Sequence, residues 1–191
     1  MVQLLVVCPL VVVVSKAKTI VSERLPDATE AEKDSIARAL GIGAVKYADL
    51  SGNRIKDYVF SYEKMLRFEG NTAVFLLYAY VRIQGIKRKG SWDLSSLKEK
   101  SFFSISHPSE ETLALHLCRF TEVLEGVTVD LLPNRLTDYL YVLAEKFNAF
   151  YRDCRVEGSE EESSRILLSE AVAQTLKKGL ELLGLTPVNR M

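Results

Sequence analysis

The sequence predicts an all-α protein, a bundle of helices. Three observations carry the prediction. Apolar residues recur at steps of three and four through the second half of the chain. No run there alternates at the period of two that a half-buried strand shows. The links between the periodic stretches are short and hold Gly, Pro and Ser, and long amphipathic helices joined by short links argue a bundle. Hydrophobic residues make up 48% of the 191 positions, enough for a core of good size.

The amino end is the least typical part. Val2 to Val14 is apolar apart from Gln3 and the break at Pro9. It is too short for a membrane span, which needs ~20 apolar residues, and no positive charge precedes it as a signal peptide requires. Four consecutive valines, Val11 to Val14, suit a buried strand; left exposed they would promote aggregation. Residues 1–15 are therefore read as an unrelated apolar leader, placed where a longer protein was interrupted, with a targeting signal as the second reading.

Thr29-Glu30-Ala31-Glu32 is a capping box, in which Thr29 accepts from the amide three residues on and Glu32 reaches back. Ile36 and Leu40 continue that helix, and Gly41 is expected to end it. Gly41-Ile42-Gly43 lacks the third glycine and the preceding strand of a phosphate-binding loop, so it is read as a break between two helices. Ala44, Val45, Tyr47, Ala48 and Leu50 then form a short apolar segment.

Gly70-Asn71 reads as a turn, because both residues tolerate positive φ, and Thr72 can cap the next helix. Val74, Leu77, Tyr78 and Val81 come next at helical spacing, with Phe75, Leu76, Tyr80 and Ile83 on the other faces. A helix apolar nearly all round is a buried one. Arg82 stands four residues after Tyr78 and shares its face. Two tyrosines and an arginine emerging from such a helix offer a place for a base to stack.

Ile86 to His107 reads as a connector. It carries a basic cluster, Lys87-Arg88-Lys89-Gly90, read as solvated, with Trp92 and Phe102-Phe103 as anchors to the core. Three long helices are predicted beyond it. Ser109 caps the first, with Glu110 and Glu111 in its opening turn and Leu113, Leu117, Phe120, Leu124 and Val127 as its stripe. Pro133 opens the second, whose stripe is Leu136, Leu140, Leu143, Phe147, Phe150 and Cys154. Gly158-Ser159 breaks the chain before a third helix from about Glu160 to Leu183, striped by Leu168, Val172, Leu176, Gly179 and Leu183; Gly184 ends it and Pro187 prevents resumption.

Charge and chemistry narrow the function. Lys plus Arg equals Asp plus Glu, 25 each. A free-standing RNA binder usually carries a basic excess, so any RNA contact here rests on local arrangement or on help from another domain. Cys8, Cys118 and Cys154 are odd in number and hold no C-x-x-C pair, which fits reduced thiols in a cytosolic protein. His107 and His116 are too few and too isolated for a metal site; they read as a loop histidine and a helix-surface histidine. No P-loop, catalytic triad or H-E-x-x-H is present. Glu110-Glu111 and Glu160-Glu161-Glu162 precede helices and read as partners of the helix dipole.

Several blocks, in order, carry a resemblance. Phe68-Glu69-Gly70-Asn71-Thr72-Ala73 through Leu77-Tyr78-Ala79-Tyr80-Val81-Arg82 resembles the S-F-E-G-N-T-A-P-Y-L-Q-Y-A-H-A-R segment that joins the catalytic and anticodon-binding domains of arginyl-tRNA synthetases. Val74 replaces the proline and Leu77 the glutamine. Leu113 to Phe120 is similar to the helix by which a DALR-type anticodon-binding domain is recognised, without a literal D-A-L-R and with Thr121 where many members have proline. Pro133-Asn134-Arg135-Leu136-Thr137-Asp138-Tyr139-Leu140-Tyr141 resembles P-x-R-L-x-x-Y-L-Y, and Phe147 to Val156 resembles F-x-x-F-Y-x-x-C-x-V. Leu182-Leu183-Gly184-Leu185-Thr186-Pro187-Val188 and the terminal methionine resemble the family's close.

The resemblance implies a helical bundle of the class I aminoacyl-tRNA synthetase anticodon-binding type over residues 67–191, preceded by the end of a catalytic domain over residues 16–66. It implies tRNA for arginine as partner, met at the anticodon arm, with a catalytic domain or other synthetase-complex proteins alongside. It implies neither membrane nor DNA, and a cytoplasmic setting. By position, Tyr78, Arg82, Tyr151 and Met191 match the family's tRNA-binding residues, and Tyr141, Arg135 and Arg155 are further candidates. A tyrosine on a bundle helix also packs in the core with its hydroxyl at the edge, and both readings stay open at this point. Two alternatives remain beside the anticodon reading: a helical protein-interaction module, and a truncated synthetase product without function.

Family members use ATP and Mg²⁺, held through H-x-G-H and a K-M-S-K-S-like loop. The first is absent here, and Ser15-Lys16-Ala17-Lys18 does not reproduce the second. Nothing in these residues is expected to hold the triphosphate or stabilise charge on the leaving pyrophosphate, so no catalytic residue, cofactor or metal ligand is assigned. Arginine-dependent exchange of pyrophosphate into ATP by the purified 191-residue chain should stay at background.

Overall fold

The structure, a computed structural model, describes residues 2–90, 92–95, 97 and 103–191, with backbone alone for residues 2–8. Its regular elements among those residues are helices: α1 (Val2–Arg24), α2 (Glu30–Ser51), α3 (Tyr62–Met65), α4 (Ala73–Lys89), α5 (Pro108–Cys118), α6 (Phe120–Asp130), α7 (Asn134–Asp153) and α8 (Glu162–Leu182). One hydrophobic core joins α1, α2, α4, α7 and α8.

The valine run is helical, not a strand. Val13, Ala17 and Val21, four residues apart, are buried along α1, so tertiary packing overrides the β preference of valine. The helix α1 packs on is α2, which runs unbroken through Gly41 and Gly43. A Cβ at position 41 would stand 2.9 Å from Val14 Cα. Glycine there serves close approach of two helix backbones, at ~1 kcal/mol of helix propensity. Neither the break expected at 41–43 nor the helix end at Gly41 exists. Thr29 does cap α2, accepting from the Glu32 amide at 3.2 Å.

In α4, Ala73, Val74, Leu76, Leu77, Ala79, Tyr80, Val81, Ile83 and Ile86 are buried, as the apolar periodicity predicts. The helix extends to Lys89, so the basic cluster ends a helix, and Lys87 pairs with Glu170 at 2.7 Å. Trp92 is half-buried and donates from Nε1 to Glu162 at 2.7 Å, which makes it the expected anchor. Phe103 is exposed and anchors nothing, and Phe102 lies outside the described residues.

The first predicted helix beyond the connector is two. It breaks at Arg119, between α5 and α6, although the apolar steps run on across the break; of its stripe only Leu113 is fully buried. Its cap is His107, not Ser109. His107 Nδ1 accepts from the Ser109 amide at 3.1 Å, and Pro108 occupies the first turn, where its missing N–H loses nothing. Glu110 completes a reciprocal box, accepting from the amides of Ser106 at 2.7 Å and His107 at 3.0 Å. It is more than a dipole partner: it is 1% exposed and pairs with Arg165 Nε at 2.6 Å. Burial pushes its carboxyl pKa up, but the Arg165 guanidinium and the two amides outweigh burial and hold it below the ordinary value. His116 is only partly a surface residue. It is half-buried and stacked on Tyr139 at 4.4 Å, its Nε2 lies 3.0 Å from the Tyr139 carbonyl, and burial lowers its pKa.

The α7 and α8 stripes are buried as predicted. They meet where a Cβ at Gly179 would stand 2.5 Å from Leu140 Cδ2. Gly184, at φ +70°, ends the run; its amide and that of Leu185 bond the Glu181 and Leu180 carbonyls, both at 2.9 Å, in a Schellman arrangement.

Two measurements test this packing. Leu140→Ala should cost about 2–5 kcal/mol in chemical denaturation, because the side chain is fully buried. Gly179→Ala should destabilise the wild type yet cost less in the Leu140→Ala background, since contacting residues couple; equal effects in both backgrounds would mean the two helices do not meet there. Separately, the lowered pKa of Glu110 means that its contribution to stability is complete above the unfolded-state carboxylate value and is lost as pH falls through the folded-state value. Glu110→Gln should therefore be less stable than wild type at neutral pH, with the gap closing on acidification.

Candidate nucleic-acid interface

The site begins at the turn before α4. Gly70 adopts φ +74°, the left-handed conformation that glycine accepts freely. Thr72 Oγ1 donates to the Arg67 carbonyl at 2.7 Å and accepts from the Phe75 amide at 3.1 Å, closing the turn and capping the helix. Asn71 does not take positive φ; it contributes through its side chain instead. Its Oδ1 accepts from the Tyr47 hydroxyl at 2.5 Å and its Nδ2 donates to Asp138 at 3.3 Å. Tyr47, fully buried on α2, also lies 3.1 Å from the Thr137 carbonyl. Burial pushes the Tyr47 hydroxyl pKa well up and raises that of Asp138, the latter opposed by the Asn71 amide. The turn thus ties the start of α4 to α2 and α7.

Two turns further along α4, Tyr78 and Arg82 emerge half-buried on one face. The Arg82 guanidinium carbon sits 5.0 Å from the Tyr78 ring centroid and 5.5 Å from that of Tyr151 on α7. Arg82 Nη2 donates to the Tyr78 hydroxyl at 3.4 Å, and Nη1 donates to Asn148 Oδ1 at 2.9 Å. Tyr151 is 37% exposed and stacks on the buried Phe147 at 6.0 Å and 23°. Tyr78 meets the edge of Phe68 at 5.9 Å, and Phe68 in turn lies 3.7 Å beneath the Arg24 guanidinium. Among the described residues no carboxylate forms an ion pair with Arg82. An uncompensated cation between two accessible aromatic rings can bind a flat, electron-rich ligand through its faces and its edge at once.

The structure therefore gathers three of the four residues matched from sequence. Met191, the fourth, is half-buried against the core and shares none of the hydrogen bonds or ring contacts that join the others. The segment leading to it is held by Lys46 on the Gly184 carbonyl at 2.8 Å, by Arg88 on the Asn189 carbonyl at 2.8 Å and by Arg190 on Glu32 at 3.5 Å. Tyr80 is not the second tyrosine of the site. It is buried in the core, and desolvation together with Glu170 and Glu181 raises its pKa. Tyr141 donates to Glu145 at 2.8 Å, Arg135 pairs with Asp130, and Arg155 donates to the Glu157 carbonyl at 2.9 Å; each is engaged outside the cluster. Asn148 does not stand out in the sequence. The available signal is its spacing, three residues before Tyr151 and therefore on the same face of α7.

A model of the DALR anticodon binding domain matches residues 76–191, and a model of the catalytic domain of class I (R) tRNA synthetases matches residues 10–62. The second match begins at Leu10, just before the four valines. The helical fold and the longer match define an anticodon-binding domain of the DALR class. The chain belongs to that family, in the form that arginyl-tRNA synthetases carry. It is 58% identical over 175 residues to an arginine–tRNA ligase of Protochlamydia amoebophila, covering 92% of this chain and 30% of the relative. It is 49% identical to the chloroplastic/mitochondrial arginine–tRNA ligase of Arabidopsis thaliana, covering 85% of this chain and 25% of the relative. Arginyl-tRNA synthetase from Plasmodium falciparum superposes with a TM-score of 0.89 at 32% identity, over 97% of this chain and 33% of that one. The chain thus spans about a third or less of the length of these relatives. No helix among the described residues is long and apolar enough to cross a membrane.

Proposed function

We propose that this chain binds the anticodon arm of tRNA for arginine through Tyr78, Arg82 and Tyr151, with Met191 as a further contact. The observation that carries the reading is the Arg82 guanidinium, unpaired with any described carboxylate and set between two aromatic rings. Anticodon reading requires unstacked bases held on aromatic faces and hydrogen-bonded along their edges. Tyr78 and Tyr151 supply faces, and the guanidinium N–H groups not used on Asn148 and Tyr78 supply donors. Overall neutrality means that specific contacts, not general attraction to phosphate, dominate affinity.

On the same reading, residues 16–66 are the end of a catalytic domain and residues 67–191 the anticodon-binding domain, in a cytoplasmic setting. The body of a catalytic domain is then a second partner. Ile55 is 85% and Val59 82% exposed, beside exposed Tyr58 and Phe60, and all four lie in the stretch that matches the catalytic-domain model. Tyr58 faces exposed Leu131 across a hollow. Apolar residues so placed fit burial against the body of such a domain. Joining arginine to tRNA with ATP and Mg²⁺ belongs, on this reading, to that domain, since the sequence here carries neither H-x-G-H nor a K-M-S-K-S-like loop.

Binding of the chain to tRNA for arginine should be weak and its salt dependence shallow. Tyr78→Ala should lose ~1–3 kcal/mol of binding, the worth of a stacked base, and Tyr78→Phe less, since the ring survives. Arg82→Ala should weaken binding by a similar amount, and Arg82→Lys should not fully restore it, because lysine has no flat fork. Thermal unfolding of the same variants separates stacking from packing: a folded Tyr78→Ala protein with unchanged affinity would overturn the assignment.

A further inference from the structure

The geometry points to Asn148 as the positioning residue of this interface, the group that aims Arg82 at the bound base and so sets how well one anticodon is told from another. The inference rests on the anticodon-binding reading above and adds to it a residue, a mechanism and a consequence for specificity.

Arginine has a long, freely rotating side chain, and ordering it costs conformational entropy. An arginine that reads a base edge must present its N–H groups in one plane, because the fork geometry carries the information. Arg82 has no described carboxylate to hold it. The ring of Tyr78, 5.0 Å away, and that of Tyr151, 5.5 Å away, attract the cation but leave it free to rotate in their planes. The bond to the Tyr78 hydroxyl is long, at 3.4 Å. Among the described residues its one short bond is Nη1 to Asn148 Oδ1, at 2.9 Å. It fixes the rotation, and with it the direction of the remaining donors.

The choice of an amide is informative. An aspartate at 148 would accept the same bond and cancel the charge of Arg82, placing a carboxylate where RNA approaches. Asparagine holds the guanidinium and leaves its charge intact. Its backbone is well placed to do so. Asn148 lies on α7 next to Phe147, which is fully buried, and three residues before Tyr151, which stacks on Phe147. Ring and amide therefore move as one rigid helical face, and α4 delivers Tyr78 and Arg82 to it.

The test is a double-mutant cycle read by affinity for two RNAs, tRNA for arginine and the same tRNA with one anticodon base changed. Arg82→Ala, Asn148→Ala, the double variant and Asn148→Asp are compared with wild type, with thermal unfolding followed in parallel. Asn148→Ala should weaken cognate binding about three- to tenfold, the range expected for one lost hydrogen bond, and should shrink the cognate-to-altered ratio with little change in melting temperature. In the Arg82→Ala background Asn148→Ala should have no further effect, because its action passes through the guanidinium. Asn148→Asp should retain more of the discrimination ratio than Asn148→Ala while binding both RNAs more weakly. An equal loss from Asn148→Ala with and without Arg82, or an unchanged ratio, would overturn the inference. If Arg82→Ala itself leaves cognate affinity unchanged in a folded protein, the anticodon-binding reading of the site fails first, and the two failures are told apart by that single variant.

Discussion

The side chain of Asn71 holds the arrangement together. One amide group accepts from Tyr47 on α2 and donates to Asp138 on α7, at the turn from which α4 departs. Tyr47 is fully buried, so its hydroxyl must find partners inside the protein, and Asn71 and the Thr137 carbonyl are the two within reach. The network joins the helix matched to a catalytic domain to the helices matched to an anticodon-binding domain. A shift of the start of α4 relative to α7 breaks the Asn71–Asp138 bond, and a shift of α2 relative to α7 breaks the buried Tyr47–Thr137 bond, so the placement of these helices is a matter of polar geometry as well as of packing volume.

The interface depends on that placement. Tyr78 and Arg82 come from α4, and Asn148 and Tyr151 from α7. A helix turn is about 5.4 Å high, so a slip of one turn would carry Arg82 out of reach of both Asn148 and the Tyr151 ring. The fully buried stripe of α7, against which α8 closes at Gly179 and Leu140, gives this face a stiff backing. A second polar device does the same elsewhere. Glu110, buried and shared between the His107 cap and Arg165, ties the start of α5 to α8.

Departures from expectation share a cause. Glycines at 41 and 43 and valines at 11–14 have local preferences that point away from helix, and α1 and α2 are helical because each supplies the other with a close apolar face. The His107 cap is obscured in the sequence because serine is the commoner capping residue and stands only two positions on. Tyr80 and Tyr78 look alike in sequence. Only the packed core sends one inward, and only the position of α7 brings Tyr151 and Asn148 to the other.

From the sequence alone came the helical class, the stripes of α7 and α8, the capping of α2 and α4, the Gly70 turn and the family, because all of these are written in local chemistry: periodicity, capping residues, glycine at positive φ and motif order. Tertiary structure decided which of the matched residues form one site. Tyr78 and Arg82 are four apart on one helix, and their pairing is local. Tyr151 and Asn148 lie far along the chain from them, Arg82 and Asn148 being separated by 66 positions. Nothing in the spacing of one helix says which face of another it will meet, since that is set by how side chains of the whole core fill space, and so the partner of Arg82 could be seen only once the helices were packed.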